Sequence, residues 1–296
     1  MRDATLSDWL KSLPLYPLPH HAVSRLMLAL TRWRWRPFRS VFTRWFIARY
    51  GVDMSEALEP DLNTYAHFNA FFTRALKPGA RPLPDDAGLL VSPADGAVSE
   101  LGRIRDTEIL QAKGRRFTLE ELLGGDRELV QAFRGGDFAT VYLSPRDYHR
   151  VHMPAAAGLR RMIHVPGRLF SVAPHTVRTI PRLFARNERV VCAFDTAHGP
   201  MALVLVGAIC VASIETTWAG VVTPPRGRRI RHWDYSGESA PHFRRGDEMG
   251  RFNMGSTVIV LTGPGQAEWR ENLKAGDRVR MGQPIGRYLE TPADSA

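Results

Sequence analysis

Cysteine is scarce in this sequence. Only two of its 296 residues are cysteine. Cys192 lies in the apolar run VVCAF and Cys210 in the apolar run AICVA, a setting typical of buried thiols rather than of disulfides or metal ligands. The sequence therefore argues against a disulfide-stapled scaffold and favours a reducing, cytoplasmic setting.

Long apolar runs are also missing. No stretch of the sequence comes near the roughly 20 consecutive apolar residues that a membrane-spanning helix needs, and the N-terminus lacks the pattern of a secretory signal. We find no internal repeat and no low-complexity tract, which argues against a repeat array. The hydrophobic content of 44% predicts instead a folded globular protein with a substantial core.

Acidic residues are few in the first 50 residues. That segment contains nine Lys or Arg against Asp3 and Asp8, so it carries +7 of the formal net charge of +10. It also contains four of the seven tryptophans, Trp9, Trp33, Trp35 and Trp45. Apolar residues recur at helical spacing over residues 23–33 and again, after a proline break, over residues 38–46. The pattern predicts two amphipathic helices with arginine-rich polar faces.

Three interpretations of these helices are open at the level of composition. Tryptophan and arginine together suit the headgroup region of an anionic membrane. The apolar stripes could equally pack on the core of the protein itself. The arginines could also bind nucleic acid phosphate.

The remaining sequence predicts an α+β fold in which a helical, amphipathic N-terminal segment precedes a β-rich catalytic body. From residue 89 onward, short apolar runs are separated by glycine and proline. The expected organisation is a membrane-associating segment over residues 1–52, a helical link over residues 53–88 and the β-rich domain over residues 89–296. The predicted strands are residues 89–91, 138–143, 189–195, 201–213, 257–261 and 284–289, and the predicted helices of the body are residues 119–123 and 129–133.

Two segments near opposite ends of the body are alike. Residues 92–98 and 276–286 resemble the two halves of a lipoyl-type barrel-sandwich sheet, which is an analogy at the level of fold. The hairpin position at which a lipoyl carrier needs its lysine has none. We therefore expect a barrel-sandwich-like sheet without the carrier function.

Two histidines stand in a segment rich in polar and aromatic residues, residues 142–154. His149 and His152 are candidates for proton transfer near neutral pH, and the alternative is that they form hydrogen bonds within the fold. A metal site is poorly supported, because residues three apart in an extended segment point to opposite faces and no cysteine lies nearby. Asp95, which precedes a glycine, is a further candidate, although such a pair most often forms a turn.

The tripeptide Gly255-Ser256-Thr257 supplies a third candidate. Gly-Ser-Thr is common in ordinary turns. A serine after glycine can also attack its own backbone, because the Gly255 carbonyl is not shielded by a Cβ. Met254 and Val258 stand where a G-x-S-x-G nucleophile elbow would have glycine, so the hydrolase motif is absent.

Several segments resemble those of the bacterial phosphatidylserine decarboxylases and occur in that family's order. The likeness runs from about residue 53 to about residue 289, and the basic aromatic N-terminus is similar to the family's membrane-associated segment. Met254 replaces the leucine that many members carry, a conservative change in volume. The segments that carry the resemblance are SPADG (residues 92–96), YLSPRDYHRVHMP (residues 142–154), LFARNER (residues 183–189), SIETTWAG (residues 213–220) and GRFNMGST (residues 250–257).

The resemblance implies a self-processing mechanism. Asp95 would orient His152, and His152 would deprotonate Ser256, which attacks the Gly255 carbonyl. The chain would separate into a large chain, residues 1–255, and a small chain, residues 256–296, that starts with a pyruvoyl group made from Ser256. No metal and no pyridoxal phosphate is then expected.

The resemblance also implies the reaction. The pyruvoyl carbonyl would form a Schiff base with phosphatidylserine and release CO2 to give phosphatidylethanolamine, with His149 as the proton donor. The implied setting is the cytoplasmic face of the cell membrane, with phosphatidylserine and the protein's own two chains as partners and no nucleic acid. The alternatives are a Ser-His-Asp lipid hydrolase without self-processing, a noncatalytic membrane-binding module, and a pyruvoyl enzyme for a soluble amino acid.

Overall fold

The computed structural model describes residues 3–209, 213–224, 229–255 and 257–289. The helices in these ranges are α1 Leu6–Ser12, α2 His20–Thr31, α3 Arg36–Tyr50, α4 Phe68–Phe72, α5 Leu119–Leu122, α6 Arg127–Phe133, α7 Pro174–Thr179 and α8 Leu183–Arg186. The strands are β1 Leu89–Val91, β2 Gly96–Arg103, β3 Glu108–Ala112, β4 Arg115–Thr118, β5 Asp137–Tyr142, β6 Arg150–His152, β7 Ala157–Val165, β8 Arg189–Thr196, β9 Gly199–Val206, β10 Ile214–Thr216, β11 Gly220–Val221, β12 Arg231–Asp234, β13 His242–Phe243, β14 Glu248–Phe252, β15 Thr257–Thr262, β16 Ala267–Trp269, β17 Arg278–Val279 and β18 Pro284–Tyr288.

The largest sheet is antiparallel and forms the centre of the molecule. Its strand order is β12-β7-β8-β9-β15-β5-β2-β17, with β13 also pairing with β7. Strand β15 lies between β9 and β5, and all six of its residues are buried. Its sequence TVIVLT is rich in the β-branched residues that favour strands. The tripeptide Gly255-Ser256-Thr257 thus leads directly into the most enclosed strand of the sheet.

A smaller antiparallel sheet lies beside it, with the order β11-β10-β14-β6. Strand β6 contains His152, and β14 ends at Phe252, three residues before Gly255. The Phe252 amide donates to the carbonyl of His149 (3.0 Å). This pairing places the histidine segment next to the segment that leads into β15.

The N-terminal helices pack on two different parts of the body. Helix α1 contacts α7, where Asp8 accepts two hydrogen bonds from Arg178 (2.8 and 3.0 Å) and Ser12 and Thr179 share one (2.6 Å). Helix α3 contacts α4 through an aromatic cluster that includes Phe46. None of the helices in the described ranges is long and apolar enough to cross a membrane.

The α+β fold predicted from the sequence is confirmed. The two amphipathic N-terminal helices are α2 and α3, and the predicted strands over residues 89–91, 138–143, 189–195, 257–261 and 284–289 match β1, β5, β8, β15 and β18 closely. The strand predicted over residues 201–213 ends at Val206. Cys192 is buried as expected, whereas Cys210 lies outside the described residues.

The segment expected to be a helical link, residues 53–88, differs from that expectation. It is helical only over Phe68–Phe72 and otherwise consists of turns and short bridges. Prolines explain the difference, because each removes a backbone donor and fixes φ, and the segment contains Pro60, Pro78, Pro82 and Pro84.

The two segments compared with a barrel sandwich lie side by side. Gly96 and Ala97 pair with Val279 and Arg278, and the Ser92 amide donates to the Gln283 carbonyl (2.8 Å). Gly96 is required there, since a Cβ on it would come within 2.3 Å of the Tyr142 carbonyl oxygen. The described strands form open sheets rather than a closed barrel.

Candidate active site

The His149 ring is enclosed completely, with an exposed fraction of 0%. Its Nδ1 donates to the backbone carbonyl of Asp147 (2.7 Å), and the ring packs on Phe72 with 4.0 Å between centroids. Its Nε2 is buried and has no hydrogen-bond partner among the described residues. A Cβ built on Gly255 would lie 3.6 Å from this nitrogen. The unpaired nitrogen therefore faces the Gly255 side of the predicted cleavage junction.

The tautomer of His149 follows from these contacts. A carbonyl can only accept, so Nδ1 carries the proton and Nε2 carries a lone pair. Burial lowers the pKa of His149 to about 3, because the charged ring is poorly solvated there. The imidazole is therefore neutral near pH 7, and the nitrogen that carries its lone pair is directed toward Gly255.

The backbone around Gly255 is held by one asparagine. Asn253 accepts from the Asn69 side chain (2.9 Å), and its own side-chain amide donates to the Ser213 hydroxyl. Its backbone amide also donates to the Ser213 carbonyl (2.9 Å). Gly255 has a φ of +28°, a conformation that residues with a Cβ rarely adopt. Ser256 itself lies outside the described residues.

His152 is engaged in a different set of contacts. Its Nδ1 donates to the Gly246 carbonyl (2.7 Å), and its Nε2 accepts from the Tyr148 hydroxyl (3.1 Å). Burial lowers the pKa of His152 and raises the pKa of Tyr148 to about 12, so both groups are neutral near pH 7. Tyr148 therefore occupies the nitrogen that a base would use.

The expected contact between Asp95 and His152 is not formed in this structure. Asp95 accepts from Arg81 Nε (2.9 Å) and from the Met281 amide (2.8 Å), and Arg81 Nη2 reaches its second oxygen. An arginine fork satisfies a carboxylate better than a neutral imidazole does, which explains the pairing. The sequence analysis missed Arg81, which precedes Asp95 by 14 residues and carries no local signal of this contact.

The turn before His149 is stabilised by Asp147, another residue that the sequence analysis did not single out. Both the amide and the hydroxyl of Ser144 donate to Asp147 Oδ2 (2.7 Å each), and Arg278 donates to Oδ1 (2.5 Å). The spacing of serine and aspartate three residues apart is a recognisable turn signal. This turn presents the Asp147 carbonyl to His149.

An apolar cavity of about 360 Å³ opens next to Gly255. Helix α3 forms one wall through Phe42, Trp45 and Phe46, and the chain around Leu143 forms another. Gly255, on the acyl side of the predicted cleavage junction, thus lines an apolar space bounded partly by the N-terminal helices. In the described part of the chain, no group of three or more His, Cys, Asp or Glu side chains is arranged to hold a metal ion.

A cavity next to the start of a central strand, with a buried and unpaired imidazole nitrogen beside it, is an arrangement typical of an enzyme active site. Comparison with known proteins identifies the family. A family model described as phosphatidylserine decarboxylase matches residues 68–287, and a second model, described as PSD, matches residues 10–51. The chain therefore belongs to the phosphatidylserine decarboxylase family.

Individual relatives agree with this family assignment. A phosphatidylserine decarboxylase proenzyme of Pseudomonas fluorescens is 59% identical over 93% of this chain and 96% of the relative. A proenzyme of Pseudomonas putida is 60% identical over 93% and 96%. One from Alkalilimnicola ehrlichii is 62% identical over 87% and 90%. The resemblance noted in the sequence is thereby confirmed, and the chain is assigned to the decarboxylases of phospholipid biosynthesis.

Proposed function

We propose that this protein is a phosphatidylserine decarboxylase proenzyme that cuts its own chain between Gly255 and Ser256. The observation that carries the proposal is the unpaired Nε2 of His149, buried in front of Gly255 at the edge of an apolar cavity. A pyruvoyl group derived from Ser256 fits this setting, because the preceding residue, Gly255, lies near the unpaired His149 nitrogen and lines a space for lipid.

The cleavage needs only groups of this chain and water. The Ser256 hydroxyl attacks the Gly255 carbonyl carbon as its proton passes to a base. The base returns this proton to the Ser256 nitrogen as the C–N bond breaks, which leaves an ester and a free amine. Loss of the Ser256 Cα proton then expels the Gly255 carboxylate and leaves dehydroalanine. Its tautomer takes up one water and releases ammonia, which leaves the pyruvoyl group at the N-terminus of residues 256–296.

Among the site residues, we propose that His152 is the base for cleavage and that Asp95 orients it. In the present arrangement Tyr148 and Arg81 hold these two side chains, so cleavage requires an exchange of partners. His149, which already faces Gly255, is the proposed proton donor of the decarboxylation; its Nε2 carries a lone pair in the present arrangement, so it must first take up the proton that it passes on. The pyruvoyl group supplies an electrophilic carbonyl for the substrate amine and accepts the electrons released with CO2.

The N-terminal surface supports peripheral binding at the cytoplasmic face of the membrane. Trp33, Trp35 and Trp45 are 49%, 55% and 52% exposed, and Val41 is 70% exposed. They lie among the arginines of α2, α3 and their connection. Apolar side chains between basic ones suit an anionic bilayer that contains phosphatidylserine. The same helices also wall the apolar cavity, which links the lipid surface with the site.

The finer architecture follows the same proposal. Residues 1–52 form the membrane-associating part, residues 53–88 the link and residues 89–296 the decarboxylase domain with a barrel-sandwich-like sheet. After cleavage, the large and small chains remain together as a heterodimer of one gene product.

The test is a denaturing gel and the intact mass of the purified protein, compared with Ser256→Ala. We expect two chains, with a blocked N-terminus on the shorter one, and an intact chain for the variant. A full-length wild-type chain that reacts with a serine-directed phosphonate would indicate a lipid hydrolase instead.

Alanine variants distinguish the proposed roles of the two histidines. His152→Ala should stay uncleaved, whereas His149→Ala should be cleaved and should lose decarboxylase turnover. The reverse result would assign the cleavage base to His149.

A further inference from the structure

Arg74 is a buried cation without a hydrogen-bonded partner among the described residues. Arg74 lies two residues after the end of α4, and it is 5% exposed. Its guanidinium packs on the Phe71 ring, 5.3 Å from the centroid, and makes no hydrogen bond within the described part of the chain. Burial lowers its pKa. A buried charge is costly unless an opposite charge compensates it, so this position calls for an anion.

The cavity that Arg74 lines is polar, with a volume of about 480 Å³. Five arginines and four carboxylates form its charged wall: Arg74, Arg81, Arg146, Arg278, Arg280, Asp53, Glu56, Asp95 and Asp147.

Each carboxylate of that wall already has a donor. Arg81 binds Asp95 and Glu56, Arg280 binds Glu56, and Arg278 binds Asp147. The remaining acid, Asp53, accepts from the Ser55 amide (2.8 Å). Arg74 and the exposed Arg146 form no ion pair among the described residues. Asp95 and Asp53 lie near enough to attract Arg74, but neither is hydrogen-bonded to it, and the wall has one more arginine than carboxylates.

This polar cavity adjoins the apolar cavity at Gly255. At two places, chain neighbours line one cavity each: Tyr50 and Pro145 line the apolar cavity, and Gly51 and Arg146 line the polar one. Phe72 of the apolar cavity also precedes Arg74 of the polar one by two residues. A molecule that enters the apolar cavity thus has a basic pocket next to it.

We propose that Arg74, with Arg146 at the rim, forms a binding site for a phosphate-class oxyanion. The inference rests on the proposed function for its source, the phosphodiester of the substrate headgroup. Arginine presents a planar fork of donors that matches phosphate oxygens. Free inorganic phosphate has the same chemistry, and the experiment separates the two sources.

Binding is measured on the Ser256→Ala protein, so that it does not depend on chain cleavage. Glycerophosphoserine and inorganic phosphate are titrated separately by calorimetry into this protein and into the same protein with Arg74→Met. We expect Arg74→Met to weaken glycerophosphoserine binding at least about tenfold and Arg74→Lys about threefold, since lysine keeps the charge without the fork. The control, Arg134→Met, removes an exposed arginine that pairs with Asp106 and should change nothing.

The outcomes are distinct. Glycerophosphoserine binding at least about tenfold tighter than inorganic phosphate identifies the headgroup as the ligand, and phosphate binding as tight or tighter identifies the free ion. Equal affinities with and without the Arg74→Met substitution, or no binding of either anion to the starting protein, would overturn the site. If Arg74→Met does not fold, an unchanged affinity of Arg74→Lys overturns it equally.

Kinetics of the processed enzyme give an independent readout. Arg74→Lys should raise the KM for dispersed short-chain phosphatidylserine about threefold and leave kcat within about twofold, because the phosphate does not react. An unchanged KM contradicts the headgroup site. Failure of the wild-type protein to cleave itself would refute the proposed function and leave the calorimetric result intact.

Discussion

The substitution Arg189→Met removes a buried guanidinium in which every nitrogen donates a hydrogen bond. Arg189 is 2% exposed and stands at the start of β8. Its three nitrogens donate to four backbone carbonyls, those of Glu121, Leu122, Ala185 and Asn187. No carboxylate pairs with it among the described residues. The side chain therefore joins α5, α8 and β8 through main-chain acceptors alone.

The expected loss follows from these four hydrogen bonds. Each bond from a charged donor contributes about 1.5 kcal/mol or more, and a buried acceptor left without a donor carries its own desolvation cost. Methionine restores part of the apolar contact, worth about 1–2 kcal/mol. We therefore expect Arg189→Met to lower the free energy of unfolding by about 4 kcal/mol, out of a total of about 5–15 kcal/mol for a typical protein.

Urea unfolding, followed by tryptophan fluorescence, measures this loss. The Ser256→Ala background keeps every sample a single chain. Arg182→Met is the matched control, because Arg182 is exposed and pairs at the surface with Glu121, where a salt bridge contributes less than about 1 kcal/mol. A loss below about 1.5 kcal/mol for Arg189→Met would show that water or a shifted side chain satisfies the carbonyls, and would refute the reasoning.

Three further predictions concern the site and the membrane surface. Burial lowers the pKa of His149 to about 3, so below about pH 6.5 the unfolded chain binds a proton at this ring and the folded chain does not. The free energy of unfolding should therefore fall by about 2 kcal/mol between about pH 6.5 and about pH 5. Urea titrations of His149→Gln should show a shallower fall over the same range. Asn253→Ala should slow self-cleavage at least about tenfold, because the segment before Gly255 loses two side-chain hydrogen bonds of about 1 kcal/mol each. Gels taken over time measure the cleavage rate, and an unchanged rate would contradict this role of Asn253. Alanine at both Trp33 and Trp35, which are exposed and do not line the cavity, should weaken sedimentation with phosphatidylserine-containing vesicles and leave cleavage unaltered. Equal sedimentation would count against membrane docking.

Local sequence patterns predicted the elements whose burial is nearly uniform. β15 and β8 are apolar over most of their length, so their strands were evident from composition. β7, Ala157–Val165, was missed because Arg160 and Arg161 interrupt its apolar pattern. The structure shows how Arg161 is accommodated: it pairs with Asp126 and Asp234, which are distant in the chain. Such partners are invisible to a local pattern.

The helix α1 was missed for a different reason. Its seven residues are too short for a clear periodic signal. Thr5 and Asp8 nevertheless form a capping box, each bonding the backbone of the other, and that signature is readable from sequence.

The sequence could suggest candidate site residues, but it could not predict their contacts. Spacing brought His149 and His152 to attention, and the structure places them in separate environments. Which partner Asp95 takes depends on Arg81 and on the Met281 amide, brought in from 14 and 186 positions away. Competition among several donors for one carboxylate is settled by the fold as a whole, so a sequence motif does not reveal it.

The central position of β15 bears on what happens to the molecule once its chain is broken. Six residues of β15 are in register with β5 on one side and with β9 on the other, while β17 and β18 pair with β2 and β1. To dissociate, the shorter chain would have to break the pairing of β15 with both of its neighbours and the pairings of β17 and β18 as well. The two chains should therefore separate only when the sheet itself unfolds, and because unfolding then yields two independent chains, the unfolding midpoint of the cleaved protein should rise with protein concentration.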